Sequence, residues 1–264
     1  DLDGYLRAHG FTGGWYDAGD YGKYTINGAF SLGMMLQAWE DYGTTLEKVA
    51  LHIPESGDAR PDYLDELAYQ YKWLFSMQFE DGQVSHKLDG YDFAQMTDTP
   101  ASDTQPRYFS PPGSAATAAF VAAMAKGARA FQRHDAKLSE QMLAAAKKSY
   151  TWLTANPTYL AANMDQFKNK QYQVKADNEA RYRMWAAAEM WETTGEAAAL
   201  ADFEKRLTAE TDKVDFEFDW ANPRNLGVFT YLRSKREGRN STLADAAKAA
   251  LVTAADGAVK NHND

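Results

Sequence analysis

The chain has 264 residues, with 28 Lys and Arg against 37 Asp and Glu, a net charge of −9 and a 45% hydrophobic share. These values suit one large domain with a sizeable core, and the acidic balance argues against nucleic acid, whose phosphates call for basic patches. No apolar run approaches the roughly 20 residues needed to cross a bilayer, and the lack of Cys excludes disulfides, thiolate metal sites and Cys nucleophiles without deciding the compartment.

Asp rather than Met stands at position 1, so any targeting segment is expected to have been removed. Residues 1–26, rich in Gly and aromatics and without helical periodicity, read as an ordered loop. A helix is expected at about 27–42. Leu64, Leu67, Ala68, Tyr71, Leu74 and Phe75 follow the i, i+3, i+4, i+7 rule behind Pro61, with Asp62, Asp65 and Glu66 at the positive helix end. After the stop signal Ser110-Pro111-Pro112-Gly113, the run Ala116, Ala119, Phe120, Ala123, Met124, Gly127 and Phe131 repeats that pattern. Further helices are expected at 137–155, 177–194, 198–211 and 241–260, about seven in all. Gln83–Leu88 and Lys213–Phe218 are candidate short extended pieces, and the long loops at 43–60, 80–111 and 157–176 are where a site would be sought. The fold class is all-α.

The densest chemical signal is Gly13-Gly14-Trp15-Tyr16-Asp17-Ala18-Gly19-Asp20-Tyr21-Gly22-Lys23-Tyr24. Glycine lets backbone approach a ligand closely. Two carboxylates three residues apart repel, which favours different protonation states and the handling of a water. From spacing alone, a calcium loop or a turn with capping Asp residues fits as well. The 13% aromatic share suits a sugar cleft, where flat rings stack on pyranose faces, and it equally suits helix packing.

The run GGWYDAGDYGKY resembles the N-terminal signature of glycoside hydrolase family 9, a family of endoglucanases and cellodextrinases with an (α/α)6 barrel. Four further segments agree in order: HIPESG at 52–57 with PDYLDE at 61–66, WL at 73–74 with MQ at 77–78 and DGQVSHK at 81–87, SPP at 110–112 leading to Ala125, and WAAAEM at 185–190. The resemblance covers nearly the whole chain. It implies that Asp20 is the general base of an inverting hydrolysis of β-1,4-glycosidic bonds in cellulose-type glucans or cello-oligosaccharides, and that Asp17 holds the water. Trp15, Tyr16, Tyr21 and His86 become candidate sugar contacts. The rings also suit loop packing, and His86 also suits a satisfied structural role. No cofactor is required. A structural calcium of the kind some members carry would draw on Asp177 and Glu179, which are equally good capping residues for a helix start.

The family's catalytic acid, a Glu in a C-terminal motif, has no counterpart here, and a complete barrel needs twelve helices. Residues 1–264 therefore read as the N-terminal part of one (α/α)6 catalytic domain, whose expected partners are a β-linked glucan or oligosaccharide and the remaining C-terminal part. Neither nucleic acid nor membrane is expected as a partner. The alternatives are an exo-acting hydrolase of short glucosamine oligosaccharides, for which the loop with Asp92, Asp98 and Asp103 would suit a cationic sugar, or a non-catalytic carbohydrate-binding module. A lyase or epimerase is disfavoured, because those chemistries want a Tyr, His or Arg constellation. Polysaccharide substrates would imply a secreted or periplasmic protein, imported oligosaccharides a cytoplasmic one.

Overall fold

The computed structural model describes residues 13–216 and 218–263, and the start of the expected N-terminal loop lies outside them. In chain order the elements are β1 (Lys23–Tyr24), α1 (Thr25–Leu46), α2 (Asp62–Phe75), β2 (Lys87–Asp89), β3 (Tyr108–Phe109), α3 (Ser114–Phe131), α4 (Ala136–Ala155), α5 (Ala176–Thr194), α6 (Ala197–Ala209), α7 (Arg224–Arg233) and α8 (Ser241–Asn263). The protein is all-α apart from one small antiparallel sheet in the order β1-β2-β3. None of the helices in the described residues is long and apolar enough to cross a membrane.

Helices α1, α3, α5 and α7 pack side by side, while α4 and α6 lie against α3 and α5 as hairpin partners, the layering of an (α/α) barrel. Composition explains which helices are enclosed. Nearly every residue of α3 is buried, and its abundant alanines let neighbouring backbones come close. In α4 the interior takes Met142, Ala145, Ala146 and Leu153, with charged residues turned outward. Asp135 starts α4 by accepting from Leu138 N at 2.9 Å. The expected end of the first helix at 42 coincides with a non-helical Tyr42 (φ −128°, ψ 20°), after which another turn reaches Leu46.

Two expectations change. Eight helices, rather than about seven, occur among the described residues, α7 being the addition. The piece at 213–218 is not a strand in the described residues; Asp215 there accepts a bidentate pair from Arg224 at the start of α7. The other piece, 83–88, is in part extended: Val84 and Ser85 form single bridges to Gln78 and Pro112, and the strand proper is Lys87–Asp89.

The segments preceding the four enclosed helices meet at one end of the molecule. Thr25 N donates to His86 O (2.9 Å) and Ser114 N to Leu160 O (2.9 Å). Rings of Tyr24, Tyr172 and Trp220 stack edge-on in sequence, 4.7 Å apart in each pair. The small sheet thus brings the 13–24 loop beside the segment leading to Ser110.

Candidate active site

The Gly-rich loop is clamped to α2 from its first described residues. Gly14 N donates to Tyr69 O (3.1 Å), Trp15 N to Gln70 Oε1 (2.7 Å), and the Trp15 indole to Glu66 Oε1 (2.6 Å). The loop then turns outward, carrying Asp17 exposed and Asp20 half-exposed at the end where the enclosed helices begin. Asp17 N donates to Gly22 O (3.0 Å), closing the turn that carries both carboxylates.

Each carboxylate is gripped on its protein side. Asp17 Oδ1 accepts from Asn27 Nδ2 (3.2 Å) in the first turn of α1, and Oδ2 from Tyr172 Oη (2.6 Å). Asp20 Oδ1 accepts from Gly22 N (3.3 Å) and Oδ2 from Tyr24 Oη (2.9 Å). Tyr172 and Tyr21 both have left-handed backbone, φ +60° and +56°, a costly conformation for a bulky side chain that concentrates at sites where geometry is over-determined. Burial, followed by the Asp17 hydrogen bond and charge, pushes the Tyr172 hydroxyl up to about 12, so it stays a donor. A cavity of about 160 Å³ opens beside Asp17, lined by Trp15, Tyr16, Tyr24, Asn27 and Gln70 among others.

Of the aromatic candidates, Tyr16 is 46% exposed and meets Tyr21 edge-on at 5.3 Å. Lys23 Nζ lies 4.7 Å above the Tyr16 ring. Tyr21 Oη donates to Asp98 O (2.6 Å), fastening the acidic 91–103 loop to the rim. His86 is elsewhere. Side chains alternate along a strand, so Lys87 and Asp89 face Tyr24 while His86 faces the opposite side. It lines a separate cavity with Tyr159–Asp165 and Gln173–Ala176, with Nε2 3.3 Å from Gln171 O. Burial holds its pKa down to about 4, so the ring is neutral.

The calcium candidates are not brought together. Glu179 is buried and bound to Arg183 Nε at 2.6 Å, while the Arg183 guanidinium also donates to Leu153 O and Asn156 O at the end of α4. Asp177 is exposed, and no group of three His, Cys, Asp or Glu in the described residues could hold a metal. These residues do not fit a calcium ion.

Sequence reasoning missed Tyr172 and Asn169, both in the 157–176 loop, and gave Tyr24, Asn27 and Asp89 no role.

A double-aspartate turn on this helical frame matches a known pattern. The model of glycosyl hydrolase family 9 matches residues 6–263. The chain belongs to glycosyl hydrolase family 9. It is 44% identical over 251 residues to endoglucanase D of Acetivibrio thermocellus, a match covering 94% of this chain and 40% of that protein. Among solved structures, a family 9 protein of Bacteroides ovatus superposes with a TM-score of 0.83 at 31% identity, covering 94% of this chain and 46% of the other. A metagenome-derived family 9 endoglucanase gives 0.80 at 34% identity, covering 93% and 45%. The chain therefore spans about two-fifths of the length of the curated relative, and the (α/α) barrel of the family is present here in part.

Proposed function

We propose that this chain carries the water-activating half of an inverting β-1,4-glucanase site, with Asp20 as general base and Asp17 as the second ligand of the attacking water. The observation that carries the reading is the pair of carboxylates, Asp17 exposed and Asp20 half-exposed, each held through both oxygens by Asn27 and Tyr172 or by Gly22 and Tyr24. Each oxygen has accepted one protein hydrogen bond, which leaves further lone pairs on both carboxylates with which a water would be held. In an inverting hydrolysis the base removes a proton from that water as it attacks the anomeric carbon opposite the leaving group. The proton donor to the leaving oxygen is proposed to come from the C-terminal part of the domain, because the other acid held at this end, Asp89, is fully buried and paired with Lys87. Trp15, Tyr16 and Tyr21 would form the walls that receive sugar rings.

A neutral glucan is preferred over a glucosamine oligomer. Two of the three acids in the 91–103 loop already have cations of this chain: Asp92 pairs with Lys168 at 2.9 Å and Asp103 with Arg107. The names of the relatives, endoglucanase D among them, support the same substrate class.

The test replaces Asp20 with Asn in the full natural polypeptide and follows cello-oligosaccharide hydrolysis. Asn keeps size and shape but loses the basic lone pair, so turnover should fall at least about 10²-fold with KM little changed. Azide should restore part of the rate and yield the α-glycosyl azide, and proton NMR of the unsubstituted protein should show an α-anomer as first product. Near-normal turnover of the Asn variant, or a first product of retained configuration, would sink the assignment.

A further inference from the structure

Behind Asp20 lies a buried polar cluster that water activation, as proposed, does not use. Lys87 and Asp89, both 0% exposed, form an ion pair with Nζ 3.1 Å from Oδ2. Lys87 Nζ also donates to Asn169 O (2.5 Å). Taking two charges out of water is expensive, and such a pair is weak evidence of stabilisation for its own sake. What it touches is Tyr24. The Tyr24 Oη lies 2.9 Å from Asp20 Oδ2 and 3.1 Å from Asp89 Oδ2, and it accepts from Asn169 Nδ2 at 2.9 Å.

A phenol has one proton to give, and here two carboxylates lie within its reach. Asp89 is already supplied. Its Oδ2 receives Lys87 Nζ and the second Asn169 Nδ2 hydrogen (2.6 Å), and its Oδ1 receives Gly90 N (2.8 Å). Asp20 Oδ2 has Tyr24 as its protein donor. With one Tyr24 lone pair taken by Asn169, its proton is left to point at Asp20. We infer that Tyr24 is a positioning residue for the base, its hydroxyl aimed at Asp20 by the Lys87–Asp89–Asn169 cluster, which satisfies the competing carboxylate. Burial, then the Asp89 charge, holds the phenol well above its ordinary range, so the donor is never lost to ionisation.

A second observation supports this independently. A Cβ at Gly22 would stand 2.6 Å from Tyr24 Oη and 2.8 Å from its ring carbons. Residue 22 must therefore lack a side chain for the Tyr24 ring to fold back over the turn. The same Gly22 donates its N–H to the other oxygen of Asp20 (3.3 Å). The run Asp20-Tyr21-Gly22-Lys23-Tyr24 is thus a local clamp on both oxygens of one carboxylate.

The inference rests on Asp20 being the base, and four versions of the full natural polypeptide separate the two claims: unsubstituted, Tyr24→Phe, Asp20→Asn, and both together, assayed on cellotetraose. Losing a hydrogen bond to a charged group should cost Tyr24→Phe about 10–100-fold in kcat, with KM within about threefold. The double variant should be no slower than Asp20→Asn alone, because Tyr24 acts through the carboxylate that is gone. A purely structural role would instead lower both backgrounds by the same factor, and that result would overturn the inference, as would near-normal kcat in Tyr24→Phe. An active Asp20→Asn protein would instead remove the reading beneath it. Should Tyr24→Phe fold poorly, Gly22→Ala keeps the ring and displaces its hydroxyl. The same fall in kcat is expected, and a folded Gly22→Ala protein of normal kcat would equally overturn the positioning role.

Discussion

Tyr172 places its hydroxyl 2.6 Å from Asp17 Oδ2 although 155 residues separate them in the chain. The contact joins the loop before α5 to the loop before α1, and the Tyr172 ring is wedged between Tyr24 and Trp220. It is bought with a left-handed backbone at a bulky residue. Tyr172→Phe keeps the wedge and removes the donor. Asp17 orients the water without taking its proton, so kcat should fall by about tenfold, less than for Asp20→Asn, with the melting temperature nearly unchanged. Steady-state kinetics with a thermal melt on the same preparation checks both halves.

The enclosed helices are tied by charge as well as by packing. Glu189 is 0% exposed and accepts from Arg129 Nη2 (2.6 Å), Thr230 Oγ1 (2.7 Å) and Trp185 Nε1 (3.1 Å). Arg129 and Lys126 also reach Glu40 on α1 at 3.0 and 2.8 Å. Glu189→Ala leaves two cations, Arg129 and Lys126, with Glu40 as their one remaining carboxylate partner. Breaking a buried pair this way costs about 3–5 kcal/mol, which denaturant titration should register as a lower midpoint. Pairing Glu189→Leu with Arg129→Met should recover most of that loss, since no uncompensated charge remains.

Stability should also fall on mild acidification, and His86 gives the sign. Unfolded, the ring takes up a proton below about pH 6.5; folded, burial delays this to about 4. Between those values the unfolded state binds more protons, so stability is complete above the upper value and declines as pH drops toward the lower. From pH 7 to 5 the decline should be about 2 kcal/mol. His86→Gln should flatten that part of the pH profile, measured by chemical denaturation at each pH. An equal slope in the variant would assign the effect to other groups.

The regular parts of this architecture were readable because helices such as α2 and α3 carry a 3.6-residue apolar repeat, and their starts came with signals such as Pro61 and the Ser110–Gly113 stop. Helix α7 escaped because it buries Arg224, Asn225, Leu226, Gly227, Val228, Thr230 and Tyr231 around most of its circumference. No polar face alternates with an apolar one there, and two polar residues enter the core through partners such as Asp215. The aspartate pair was singled out by family resemblance, since its local spacing alone fits a calcium loop or a capped turn as well. Asn169 and Tyr172 were not, because their roles depend on tertiary contacts across 145 and 155 residues. Lys87 and Asp89 had the two-residue spacing of one strand face, but a strand of three residues leaves too little alternation to detect.

The glycines of the loop separate fold from chemistry. Gly14 has φ +81°, and a Cβ there would lie 2.5 Å from Trp73 Cβ and Cγ. Trp73 is fully buried in α2, so it has nowhere to retreat. Gly14→Ala faces both the backbone penalty and the clash. It should lower stability by about 2–4 kcal/mol and, by shifting the start of the turn, reduce activity in whatever fraction stays folded. At Gly19, between the two aspartates, nothing lies within 4 Å of the added atom and φ is not positive. Gly19→Ala should therefore melt at the same temperature as the unsubstituted protein. Any fall in its kcat/KM would then report a ligand passing over that point of the turn. Parallel melts and cello-oligosaccharide kinetics on the two variants test this. Equal destabilisation by both would mean that the loop is not anchored through Gly14 against Trp73.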